Sequence, residues 1–149
     1  MNIRINYLAT VLVIIGVMAV SSCTSPSAPG PDEQFTTRIS RTYGLGTVSL
    51  DGKDVTSVFA NFALKFSSDM SYTTTSSPLK ASVLKATGTF APQLKAGSTD
   101  QFDVLLDGQT LLTVTEATET SLKFTLQYNG NGSRTSTISG NYVFALVAK

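Results

Sequence analysis

The sequence predicts an all-β domain, a small antiparallel meander closing into a barrel, with a two-sheet β-sandwich as the alternative. Three observations lead there. From Thr37 onward apolar and polar residues alternate at period two, no stretch shows a convincing amphipathic-helix period, and turn residues recur at short spacing. The composition agrees: Ser and Thr are plentiful, there are 11 Gly and there is no Trp. Threonine suits a pleated, half-buried surface, and glycine suits turns.

The first strand expected covers Thr47 to Leu50 and ends at the Asp51-Gly52 turn. Phe62, Leu64 and Phe66 then share one face, opposite Ala63 and Lys65, and Ser67-Ser68-Asp69 turns the chain into a Thr-rich strand beginning at Tyr72. Leu84, Ala86, Gly88 and Phe90 alternate with Lys85, Thr87 and Thr89 until Pro92 interrupts. Phe102, Val104 and Leu106 precede the Asp107-Gly108 turn, Leu112 and Val114 follow it, and Thr115 to Thr120 reads as a polar connection. The clearest strand sets Leu122, Phe124, Leu126 and Tyr128 against Lys123, Thr125 and Gln127. Asn129-Gly130-Asn131-Gly132 then supplies the positive-φ positions of a hairpin loop. The last strand places Ile138, Gly140, Tyr142, Phe144 and Leu146 on one face; Val143, Ala145 and Val147 on the other suggest cover on both sides. Seven or eight short strands joined by hairpin-type links favour a meander, and closing it removes the exposed edges.

The front of the chain has another character. Arg4 precedes an apolar run from Tyr7 to Val20. As a helix those residues rise only about 21 Å against a hydrocarbon core of ~30 Å, which is short for a span and right for the apolar region of a signal peptide. Val20-Ser21-Ser22-Cys23 resembles the bacterial lipobox: an apolar residue, two small ones and the obligatory cysteine. The resemblance implies cleavage before Cys23, with diacylglycerol on its sulfur and acylation of the new amine. Two or three chains, at about 0.8 kcal/mol per buried methylene, anchor a protein stably where one does not. The sequence therefore divides into a signal peptide over 1–22, a lipidated cysteine with a Pro- and Ser-rich tether over 23–36, and an all-β domain over 37–149. Thr24 stands where many inner-membrane lipoproteins carry Asp, so by analogy the address is the outer membrane, with the domain periplasmic or surface-exposed.

The strand-turn-strand from Phe62 to Thr73, the Thr87-Gly88-Thr89-Phe90 segment, the connection from Thr113 to Leu126 and the closing Ile138 to Phe144 strand are similar to the short lipocalin-like lipoproteins of Bacteroidetes. Phe90 stands where that family usually has Trp. The resemblance implies a lipocalin-like barrel and, by extension, a ligand cavity. Phe62, Phe66, Tyr72, Phe90, Phe124 and Tyr142 are its expected lining, and Tyr128 and Phe144 belong to the same aromatic set. Two readings are open: the rings line a cavity for an apolar ligand, or they fill a small core, as narrow barrels do. The corresponding functions are a non-enzymatic envelope lipoprotein binding a small apolar molecule or envelope component, and a structural module docking to another envelope protein.

Other chemistry is disfavoured. Formal net charge is +1, with 11 Lys and Arg against 10 Asp and Glu, which argues against nucleic acid as a partner. There is no histidine and a single cysteine, which removes the commonest general base, the commonest zinc ligand and any internal disulfide. No cofactor or metal is expected. Ser82-Val83-Leu84-Lys85 matches the Ser-x-x-Lys of penicillin-interacting enzymes, but that chemistry needs a helix, and a strand puts residues three apart on opposite faces. Asp100, Asp103 and Asp107, or Asp51 with Asp54, lack the tight spacing of a calcium loop. Glu116 and Glu119 read as solvated connection residues rather than paired hydrolytic carboxylates.

Overall fold

The computed structural model describes residues 28–77, 79, 84–129 and 139–149. Nine strands run through them: β1 Thr42–Leu50, β2 Lys53–Asp54, β3 Ala63–Phe66, β4 Ser71–Thr75, β5 Thr87–Leu94, β6 Phe102–Leu106, β7 Thr110–Ala117, β8 Ser121–Tyr128 and β9 Gly140–Ala148. Every pairing is antiparallel. Neighbours follow chain order from β3 to β9, and β1 pairs with both β3 and β9. The result is a closed eight-stranded barrel, with β2 as an extra strand hairpinned onto β1. Closure through β1 and β9 decides for the barrel over the sandwich.

The local chemistry explains most elements. Asp51 and Gly52 both take positive φ (48° and 82°), the backbone a two-residue hairpin needs, and they link β1 to β2. Asp107 and Gly108 do the same between β6 and β7 (50° and 67°). Along β8 the pattern is strict: Leu122, Phe124, Leu126 and Tyr128 are buried while Lys123 and Gln127 are exposed. Inward residues of β8 and β9 sit opposite one another, Leu122 to Leu146, Phe124 to Phe144 and Leu126 to Tyr142, so each cross-strand pair faces the lumen.

Several expectations need correction. Pro31–Ile39 forms a helix, α1, so residues 31–36 are not tether and the folded unit begins before Thr37. Pro31 occupies the first turn, Asp32 and Glu33 lie near the positive end of the helix dipole, and Phe35, Thr36 and Ile39 are buried. The helix holds because that short apolar stripe packs on the barrel, a tertiary contribution that propensity does not register. β1 is longer than expected, starting at Thr42, whereas β5 starts only at Thr87. Ala86 is exposed, and Thr74 holds the segment before β5 through its hydroxyl on the Lys85 carbonyl (2.8 Å) and its amide on that of Ala86 (2.8 Å).

Nor does Pro92 end β5, which continues to Leu94. Its pairing with β4 covers only Thr87 to Thr89, and the amide of Phe90 bonds the Met70 carbonyl at 2.8 Å. Two residues on, the nitrogen of Pro92 points to that same side, where β4 has already ended. A missing N–H there breaks no ladder. Thr115 to Ala117 belong to β7, not to a connection; the register shifts between Val114 and Glu116, so a bulge hides the alternation. The outer face of β9 is covered only in part: Val143 and Ala145 are half-buried, whereas Val147 is 55% exposed.

The core occupies the lumen and both its ends. Ile39, fully buried, leads into β1 at one end, where Phe35 stacks on Phe102 of β6 with ring centroids 5.2 Å apart. Toward the other end of β1, a 3-10 turn (Thr56–Phe59) sends Phe59 inward against Phe62, Tyr142 and Phe144. Leu79 and Leu84 are buried as well.

Candidate functional site

Two places merit description, the lumen and a cleft outside it. The six residues expected to line a cavity are all buried in the lumen, and they touch aromatic neighbours. Phe124 stacks on Phe144 at 4.9 Å, Phe62 lies 5.6 Å from Phe144, and Tyr142 lies 5.8 Å from Phe59. Phe66, Tyr72 and Phe90 form a second group, with Phe66 4.8 Å edge-on to Phe90 and 6.5 Å from Tyr72. Such pairs contribute about 0.5–1.5 kcal/mol each beyond area burial. The structure thus brings the six together as two packed groups.

Tyrosine hydroxyls divide the lumen more finely. Tyr72 donates to Asp107 Oδ2 at 2.9 Å. Asp107 also accepts from the Thr89 amide (3.1 Å) and lies 3.3 Å from Lys85 Nζ. The amide bond from Thr89, ahead of those from Tyr72 and Lys85, holds the Asp107 carboxyl below its usual range. Burial, reinforced by the bond to Asp107, pushes the Tyr72 phenol well up, so it is a fixed neutral donor and not a base. Gly88 makes the bridge possible, because a Cβ there would lie 2.6 Å from the Tyr72 ring and 2.5 Å from Asp107 Oδ1. By contrast, the hydroxyls of Tyr43 and Tyr128 are buried with no hydrogen-bond partner among the described residues.

The cleft, about 190 Å³, lies between α1, the β5–β6 connection and the β7 bulge. Phe35 and Arg38 come from α1, Lys95, Asp100 and Gln101 from the β5–β6 connection, Phe102 from the start of β6, and Val114 to Ala117 from β7. Lys95 is already committed: it pairs with Asp103 at 3.3 Å and donates to the Val114 carbonyl. Asp103 in turn accepts from the Val114 amide at 2.8 Å. None of these cleft residues belongs to the aromatic set expected at a site. Phe35 and Ile39, four apart and just after Pro31-Asp32-Glu33, were the available sequence signal for α1; the bulge left none.

Most acids weighed in the sequence have a local role, whereas among the described residues Glu119 contributes only its backbone carbonyl, to Arg41. Asp51 accepts from the Asn141 amide (3.0 Å), Asp54 from the Thr56 amide (2.8 Å), Asp100 from the Ser98 hydroxyl (3.1 Å) and Glu116 from that of Ser121. Among the described residues no group of three or more acids, cysteines or histidines is placed to hold a metal ion, and no helix is long and apolar enough to cross a membrane. Cys23, Ser82, the Gly130 to Gly132 part of the hairpin and Ile138 lie outside the described residues. Comparison with protein-family models, curated proteins and solved structures finds no match for this chain.

Proposed function

We propose that this chain is a non-enzymatic outer-membrane lipoprotein, anchored through acyl chains on Cys23, whose barrel acts through its outer surface as an interaction module. The observation that carries the second half is the mutual contact of the lumen aromatics. Phe144 alone meets Phe59, Phe62, Phe124 and Tyr142 within 6.3 Å. An eight-stranded barrel is just wide enough for side chains to fill, and rings in contact leave an apolar guest to displace them. The first half draws support from the lipobox resemblance of Val20 to Cys23 and the short apolar run before it.

One observation favours a second reading, a lumen that takes a small ligand. The hydroxyls of Tyr43 and Tyr128, without a partner among the described residues, are the kind of buried groups that a guest or an ordered water satisfies.

The anchor is tested by fractionation of a lipoprotein-competent bacterium expressing the full chain. The wild-type protein should sediment with membranes and incorporate labelled palmitate. Cys23→Ala should abolish the label and lose the acyl anchor; unchanged labelling and membrane retention would refute it.

A further inference from the structure

The cleft beneath α1 lies outside the lumen, so what it binds does not depend on whether the barrel is filled. Its polar groups differ in how far they are already engaged. Lys95 is held by Asp103 and the Val114 carbonyl. The Arg38 guanidinium and the Gln101 side-chain amide make no hydrogen bond or ion pair with any described residue, although carboxylates line the same cleft. Among the described residues Glu116 accepts only from the Ser121 hydroxyl, which leaves most of its lone pairs open. With Lys95 paired to Asp103, Arg38 stands opposite Asp100 and Glu116, so the lining presents charges of both signs. Phe35 and Phe102, stacked at 5.2 Å, add an apolar surface.

We propose that this cleft binds a small zwitterion, an α-amino acid or dipeptide, with its carboxylate on Arg38 and Gln101 and its ammonium group on Glu116. An arginine fork suits a carboxylate in two-point contact, and a free carboxylate suits a protonated amine. The volume of about 190 Å³ admits a ligand of that size. The arginine comes from the helix and the glutamate from the β7 bulge, so the cleft needs both elements in place.

Calorimetric titration of the full chain, purified from membranes in detergent, with glycylglycine, N-acetylglycine and glycinamide tests this. Glycylglycine should bind, and the two probes that lack one charge should each bind about tenfold more weakly or worse, the loss of one charge-assisted contact. Arg38→Gln should weaken glycylglycine by a similar factor while leaving the melting temperature unchanged. Glu116→Gln should remove the preference for glycylglycine over N-acetylglycine. Absence of glycylglycine binding, equal binding of N-acetylglycine, or undiminished binding by Arg38→Gln would each overturn the proposal.

Discussion

In the lumen, large side chains are held by others of their kind: Phe144 meets four rings, and Phe66 meets both Tyr72 and Phe90. In the cleft outside it, neither the Arg38 guanidinium nor the Gln101 side-chain amide has a bonded partner among the described residues. Both regions use strands β6 and β7, whose inward residues Val104, Leu106, Leu112 and Val114 are buried. The difference teaches where this fold stores stability and where it leaves chemistry open. Packing in the lumen is redundant and apolar, whereas the cleft joins a helix end to a bulge with polar groups in excess of their internal partners.

The sharpest way to break that contrast is to open the lumen. Phe144→Ala should cost about 3–5 kcal/mol, the usual range for a buried phenylalanine, as a lower urea midpoint with little change in slope. A loss below about 1 kcal/mol would mean that the rings around Phe144 were not packed. Next comes the polar bridge. Tyr72→Phe leaves Asp107 without one of its donors and should cost about 1.5–3 kcal/mol, the range for a bond to a charged group.

The same bridge has a pH signature. Because the Asp107 carboxyl is held below its usual range, the folded chain takes up its proton less readily than the unfolded one. Its stabilisation is therefore complete above the ordinary carboxylate value of about 3.9 and is lost as pH falls through the lower folded value. Urea midpoints measured from pH 6 to pH 2 should fall less steeply in Asp107→Asn than in the wild type. Identical acid slopes would show that Asp107 contributes nothing to the pH dependence.

Smaller effects sharpen the comparison. Tyr128→Phe removes a buried hydroxyl that has no partner among the described residues, so the change should lie within about 0.5 kcal/mol or be stabilising. A loss of more than about 1 kcal/mol would signal a bound water or guest at that hydroxyl. Arg38→Gln should leave stability within about 0.5 kcal/mol, as expected for an exposed side chain without internal bonds. A clear loss would place Arg38 among the residues that hold the fold.

Much of the barrel was legible because period-two patterning reports directly on which face is buried. The β8 run from Leu122 to Tyr128 and the turns at Asp51-Gly52 and Asp107-Gly108 were read correctly residue by residue. Patterning fails where pairing, rather than sequence, decides. Pro92 lies within β5 because β4 has ended beside it, and Thr115 to Ala117 remain strand because a bulge absorbs the broken alternation. Helix α1 was missed because only Phe35, Thr36 and Ile39 of it are buried, and three prolines at 26, 29 and 31 give the segment the composition of a linker. The cleft was invisible for the same reason. It is made by the helix and the bulge meeting across the β5–β6 connection; the helix offered only the Phe35–Ile39 spacing as a signal, and the bulge offered none. The six lumen aromatics were found, but sequence carries no measure of the distance between rings, so it could not choose between lining and filling.

Native mass spectrometry of the chain from Thr24 onward, after incubation with a bacterial lipid extract, tests the central claim most directly. A lumen filled by its own rings predicts the mass of the bare polypeptide. A stoichiometric adduct of lipid mass, lost when the protein is denatured, would contradict it and make the barrel a carrier.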